Sequence, residues 1–469
     1  MNDTLGDDRP FRGTGAHTRR SSDTLRPMAS TGLNQDFERR PYWHATMPLL
    51  RDYSDRPLPD AADVVVVGGG YTGIAAARRL AQQGAAVTVL EARTLGWGAS
   101  TRNGGIIHPG YKWGPAQLVR RYGAETGREL YRETLDGYEL LKRIITDEAI
   151  DCEFRETGYL ELAYAPSHLH DLEESHRSLA DAGVESWIVP AVDLHGEIGS
   201  DAYFGGLVAP AAGLPHPGKW FAGLVASAER AGADLQEKAR ARHLRRDRDG
   251  TLIVETERGS IRTTEVFVAT NGYTDGFVPS LRRRIMPIGS YIIATEPLPE
   301  ELARDLSPHG RAFFDTKNFL YYWHVSTDRR MIFGGRASML PTTVDRTAEI
   351  LHRGMLEVHP QLAGYRIEYA WGGNVAFTFD RMPHFGRMGN VSYAMGCCGT
   401  GVVMSTYLGT KAAEWLGGAP APVLAQLRFP LVPAPFEGRP WFLPFVGEWF
   451  RLQDRLAARS RPRNVAARA

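Results

Sequence analysis

The 469-residue chain carries 55 basic and 54 acidic side chains, a formal net charge of +1, and 43% hydrophobic residues. That balance supplies a globular core and excludes the one-signed field with which a protein gathers nucleic acid, leaving a small molecule as the expected partner. Three cysteines, two of them adjacent, cannot build a disulfide framework and point to a reducing, cytoplasmic setting, and no apolar run reaches the roughly 20 residues that span a bilayer.

Residues 1–35 are polar and rich in Gly, Ser, Thr and Arg, the composition of a disordered tail. Arg19-Arg20 lacks the apolar stretch an export signal needs after it. From Asp63 the chain reads "DVVVVGGGYTGIAAARRLAQQGAAVTVLEA". The run Val64 to Val67 predicts a strand buried on both faces of a parallel sheet. Gly68, Gly70 and Gly73 follow as G-x-G-x-x-G. Ile74, Ala77, Leu80 and Ala81 then recur at helical spacing until Gly84, and Val87 to Leu90 form a second strand ending at Glu91. The glycines permit a tight turn and close approach of a pyrophosphate to a helix N-terminus, and Glu91 can accept hydrogen bonds from ribose hydroxyls. An acid there fits an unphosphorylated ribose, as in FAD or NAD, and these residues do not separate the two.

The next segment, "GWGASTRNGG" (96–105), gathers four glycines around Arg102 and Asn103. A planar ring can lie on backbone this bare, with Arg102 and Asn103 reaching its polar edges, and a flavin fits that description. "GLVAPAAGLPHPGKWFAGLVASAERAGADL" (206–235) predicts a strand, a turn and a helix with Leu224, Val225 and Ala228 inward. "EVFVATNGYT" (265–274) predicts a strand that breaks at Thr270, and "NVSYAMGCCGTGVVMSTYLGTKAAEWLGG" (390–418) a strand, a glycine turn and a helix. A nucleotide domain assembled from separate pieces suits a large cofactor. Between them, "NFLYYWHVSTDRRMIFGGR" predicts a hairpin turning at Ser326 to Arg329. Tyr322 and His324 lie on one face of it, and Tyr321, Trp323 and Val325 on the other. Aromatics on such a face can wall an amine. Cys397 and Cys398 read as small residues entering a tight turn rather than as a redox pair, and no His or Cys cluster has metal-ligand spacing.

Seven ordered motifs, "VVVVGGGYTG", "STRNGG", "GLPHPGKW", "ATNGYT", "MIFGGR", "DRMPHFGR" and "GCCGTGV", resemble the FAD-dependent oxidoreductases of the D-amino-acid-oxidase type. This family includes glycine and sarcosine oxidases, and within it the chain is most similar to the gamma-glutamylputrescine oxidase-like branch. The resemblance implies an α/β protein, with a discontinuous Rossmann-type FAD-binding domain (36–150, 205–286, 374–420) and a mixed-sheet substrate domain (151–204, 287–373). Residues 421–469 are expected to form a C-terminal segment that docks back on the body, with a partner or membrane-surface contact of its aromatic stretch 436–456 as the alternative.

By that resemblance Gly68, Gly70, Gly73, Glu91 and Arg93 hold the ADP half of FAD, and Thr270 and Gly272 lie near it. Ser100, Arg102, Asn103 and Gly104 pass beside the flavin. Gly399, Thr400 and Gly401 open a helix whose amides face its pyrimidine edge. Two departures stand out. Val403 takes the place of the lysine with which sarcosine oxidases hold a carboxylate, and "NVAFTFDRMP" lacks the cysteine of covalent flavoproteins, so non-covalent FAD is expected. Relatives are expected to carry Arg where this chain has His324. The implied reaction is oxidation of an amine, gamma-glutamylputrescine-like or amino-acid-like, to an imine by hydride transfer to flavin. Dioxygen is the expected acceptor, with another electron acceptor as the alternative. Tyr322 and His324 stand as substrate-facing residues, and Arg102 and Arg336 as the positive charges that assist reoxidation. A hydroxy-acid dehydrogenase and a non-catalytic flavin-binding protein remain as alternatives.

Overall fold

The computed structural model describes residues 33–459 except 35, 337–341, 434, 435, 437 and 439; the expected tail at 1–35 lies almost wholly outside the described residues. The Val64–Val67 run sits within the strand Ala61–Val67, paired in parallel with Val87–Leu90 on one side and Gly259–Val268 on the other. Val391–Met395 and Asp234–Gln236 extend this sheet, so pieces of chain far apart in sequence build one nucleotide-type layer. Tyr71–Gln82 forms the helix after the glycine turn and stops before Gly84, whose φ is +88°. The helix Gly401–Leu416 packs closely on it: a Cβ at Gly409 would stand 2.2 Å from the Thr72 carbonyl oxygen.

The second sheet has eight strands in the order 367–377, 286–295, 331–335, 321–325, 312–315, 159–162, 205–209 and 187–190. Its neighbours run antiparallel except 312–315 with 159–162, which makes it mixed. The hairpin forms as expected, Tyr321–Val325 with Met331–Gly335, and its alternation holds: Trp323 packs with Phe313 and Phe333 in the core under helix Val344–Val358. Tyr322 belongs to the opposite face. There register aligns Trp371, Ile292, Gly334, Tyr322, Phe314 and Glu161 in one cross-strand row.

Two expected boundaries move. The strand Gly205–Ala209 pairs with Tyr159–Leu162 and Trp187–Pro190, not with the nucleotide sheet, so the crossing falls after Ala209 rather than at 204. Its residues are all buried, and such a strand reads the same in either sheet; only the following helix, Pro217–Arg230, joins the nucleotide side. Likewise Ile367–Phe377 runs four residues past the expected edge at 373. The C-terminal segment contains the helix Leu443–Arg459, with Leu443 and Gly447 buried against the body.

Candidate active site

The glycine turn is built for close approach. Gly68 has φ +111°, and a Cβ at Gly73 would stand 1.9 Å from the Gly68 carbonyl oxygen. Gly70 supplies no side chain at the start of helix Tyr71–Gln82; Ser100 Oγ accepts the Tyr71 N–H at 2.9 Å. Glu91 is held by two backbone donors, Gly69 N–H on Oε2 at 2.9 Å and Arg93 N–H on Oε1 at 2.8 Å. Burial pushes its carboxyl up and these amides pull it back. Each oxygen keeps a second lone pair for a ribose hydroxyl. A helix start whose N-cap is a bare glycine, a floor no side chain could occupy and a fixed acid at the next strand end fit the ADP half of FAD.

The bare segment 96–105 lies between this turn and the second sheet. Its three consecutive carbonyls are each taken by an aromatic N–H: Trp371 Nε1 donates to Arg102 O at 3.0 Å and Trp43 Nε1 to Asn103 O at 2.8 Å. His324 Nε2 bonds Gly104 O at 2.9 Å. Gly104 itself admits nothing larger, since a Cβ would lie 2.7 Å from the Tyr322 ring.

Arg102 and Asn103 both bond to nearby backbone. Arg102 Nε donates to Trp97 O at 2.8 Å, its guanidinium lies over the Trp97 ring at 5.1 Å, and Nη1 reaches Gly372 O. Arg93 covers the same indole at 4.2 Å. Asn103 folds its own turn, donating to Ser100 O at 2.9 Å and accepting the Gly105 N–H at 2.9 Å. A short amide one turn from three free backbone groups satisfies them before it reaches outward.

Tyr322 and His324 face the glycine segment together. Burial raises the Tyr322 phenol to about 12 and lowers the His324 imidazole to about 4, so both are neutral near pH 7. Tyr322 Oη lies 3.0 Å from Ser290 Oγ. Arg336 is near Tyr322, its guanidinium over Phe377 at 5.2 Å and its Nη1 on Asn318 O at 3.4 Å; burial and then Arg381 depress it. Gly399, φ +116°, and Thr400 lead into helix Gly401–Leu416, and Thr400 Oγ1 turns back to Cys397 O, leaving the first amides without a side-chain cap. Thr270 and Gly272 form a turn beside Gly68 that docks on strand 367–377, where Tyr273 Oη accepts the Asn374 N–H at 3.1 Å.

Sequence reasoning missed the two tryptophans and a charged cluster. Segment 108–113 is pinned at one end, where His108 stacks on Phe314 at 6.0 Å and meets Tyr159 at 5.4 Å. At the other end Trp113 donates to Asp380 O at 2.8 Å beneath Arg381. Lys112, between the pins, is exposed. Burial first, then Arg336, lowers its ammonium, while Glu161 favours its charge. Glu161 is raised to about 7 by burial, with Lys112 pulling it back. Among the described residues no hydrogen bond or ion pair joins the two. The only sequence signal was a lysine closely following the glycine segment.

Cys397 and Cys398 are buried free thiols raised to about 11 and about 12. Among the described residues no group of three or more His, Cys, Asp or Glu can hold a metal, and no helix is long and apolar enough to cross a membrane.

The family description "DAO: FAD dependent oxidoreductase" matches residues 63–415. The chain is 34% identical over 400 residues to gamma-glutamylputrescine oxidoreductase of Escherichia coli K12, covering 84% of this chain and 93% of that protein. It is 31% identical over 429 residues to the probable oxidoreductase OrdL of Rhizobium meliloti, covering 88% and 97%. Glycine oxidase from Geobacillus kaustophilus shares the fold, with a TM-score of 0.64 at 19% identity, over 81% of this chain and 99% of that one. The chain belongs to the DAO family of FAD-dependent oxidoreductases.

Proposed function

We propose that the protein oxidises an amine whose other end is zwitterionic or anionic, gamma-glutamylputrescine-like or amino-acid-like, to an imine, with dioxygen as acceptor and hydrogen peroxide as product. The observation that carries this is Lys112 and Glu161, which feel each other's charge yet share no hydrogen bond or ion pair among the described residues, with Glu161 in the cross-strand row of Tyr322. Opposite charges that lie near each other without touching leave room for a ligand bearing both signs.

Bound FAD supplies the two-electron acceptor that takes a hydride from the carbon bearing nitrogen. The chain does the rest. Gly68, Gly70, Gly73 and Glu91 would hold the adenosine and diphosphate, and the uncapped first amides of helix Gly401–Leu416 would offer a positive dipole to negative charge placed before them. The Arg102 to Gly104 carbonyls, bound from behind, present a fixed glycine surface. Tyr322 and His324 are neutral, and with His108, Tyr159 and Phe314 they wall the site without offering a charge of their own. Lys112 and Arg336 draw the anionic end and Glu161 the cationic one. Arg336 is also the fixed positive charge beside Tyr322 that favours reduction of dioxygen.

The same cluster favours a second reading. Lys112, Arg336 and Arg381 are three cations against one acid, the grouping a hydroxy-acid substrate requires. Peroxide formation by the FAD-loaded protein in air, scored with gamma-glutamylputrescine, amino acids and hydroxy acids, decides between them. Turnover of an amine supports the first reading, and turnover of hydroxy acids alone replaces it with the second.

A further inference from the structure

The helix Leu443–Arg459 is anchored by one face only. Leu443 and Phe450 pack with Ile288 and Phe319, and Asp454 accepts the Asn318 N–H and the Phe319 N–H, each at 3.0 Å. On the other face Phe445, Trp449, Leu452 and Leu456 follow at helical spacing, with Trp441 just before the helix, all between 45% and 72% exposed. An apolar stripe of this length, aromatic at two of its four helical positions, is far from the scattered single residues normal on a surface. Arg455 and Arg459 flank it and make no ion pair among the described residues.

The local charge identifies the occupant. From residue 441 onward the sequence carries Arg451, Arg455, Arg459, Arg461, Arg463 and Arg468 against Glu448 and Asp454. Both acids are engaged, Glu448 by Arg451 and Asp454 by the 318–319 turn. A second copy of this face would therefore bring no free acid to Arg455 and Arg459. A stripe of Trp, Phe and Leu bordered by arginines is the composition of a helix lying in the plane of a membrane interface, and anionic headgroups supply the missing counter-charge. The chain-wide charge of +1 conceals this local excess.

We propose that Leu443–Arg459 is a membrane-surface docking helix whose exposed stripe enters the interface of an anionic bilayer. Docking there sets the site's rim toward lipid, because Asn318, held by Asp454, also accepts from Arg336.

Co-sedimentation of the full-length, FAD-loaded protein with vesicles tests this, using phosphatidylcholine alone and phosphatidylcholine with about one-third phosphatidylglycerol. The protein is expected to pellet with the anionic vesicles in about 0.05 M salt and to be released in about 0.5 M. F445S/W449S and R455E/R459E are each expected to weaken partition by about tenfold or more while keeping the flavin absorbance that reports an intact fold. Protein that stays in solution with both vesicle types overturns the proposal. So does equal binding to both, unaffected by salt. A wild type that is dimeric by sedimentation velocity and monomeric as F445S/W449S assigns the face to a second copy instead.

Discussion

His324 Nε2 and the carbonyl oxygen of Gly104 lie 2.9 Å apart across 220 residues of sequence. A carbonyl only accepts, so Nε2 carries the proton, and Nδ1 is left as a buried acceptor without a partner in the described residues. Burial lowers the imidazole to about 4, which favours the neutral ring. It positions the glycine segment and does not act as an acid near pH 7.

The sign of the pH effect follows. A histidine whose folded pKa lies below its unfolded value takes up more protons when unfolded, so its contribution to stability is full above about pH 6.5 and falls toward pH 4. Against His324→Gln, which keeps a donor for Gly104, the wild type is expected to lose about 2 to 3 kcal/mol of relative stability between pH 7 and pH 4.5. Denaturant unfolding of both proteins at the two pH values measures it. An unchanged difference would place a charged imidazole at this site.

Gly104→Ala puts a methyl where the Tyr322 ring already stands, and rigid neighbours make overpacking cost about 1 to 3 kcal/mol. The variant is expected to purify with less FAD and a lower melting temperature. Adding Tyr322→Ala should recover FAD content in part, and no recovery would mean that the clash is not with that ring.

Trp43→Phe and Trp371→Phe each keep an aromatic ring but strip the donor from a half-buried carbonyl. The expected loss is about 1 to 3 kcal/mol in stability, with up to about a hundredfold weaker FAD binding if the glycine surface shifts. Fluorescence titration of the apoprotein with FAD reads the second quantity directly.

Lys112→Met and Glu161→Gln remove one charge each from the cluster. If these side chains grip the remote end of the substrate, KM rises by roughly tenfold to a hundredfold, the worth of a charge-assisted hydrogen bond, with kcat changing less. Equal falls in kcat with unchanged KM would remove them from substrate recognition.

The nucleotide half was legible in the chain because its signals are local. Val64–Val67, the three glycines and Glu91 sit within one strand-turn-helix-strand unit, and period-two alternation alone put Tyr322 opposite Trp323. What escaped depends on partners remote in sequence. The parallel pairing of 312–315 with 159–162 carries Glu161 into line with Tyr322, and no local pattern reveals a register between such strands. Trp43 and Trp371 read as ordinary apolar residues; that their N–H groups close the carbonyls of 102 and 103 is visible only when the chain is folded. The bonds of Arg102 to Trp97 O and Gly372 O are invisible in the sequence for a related reason, since the second partner lies 270 residues away.

The central claim, amine oxidation on bound FAD, is tested most directly by the visible spectrum of the FAD-loaded protein under anaerobic conditions, before and after adding gamma-glutamylputrescine and other amines. Bleaching of the oxidised flavin bands by an amine, with recovery on admitting air, is the predicted result. A protein that takes up no flavin, or one whose flavin stays oxidised with every amine while a hydroxy acid bleaches it, would contradict the account.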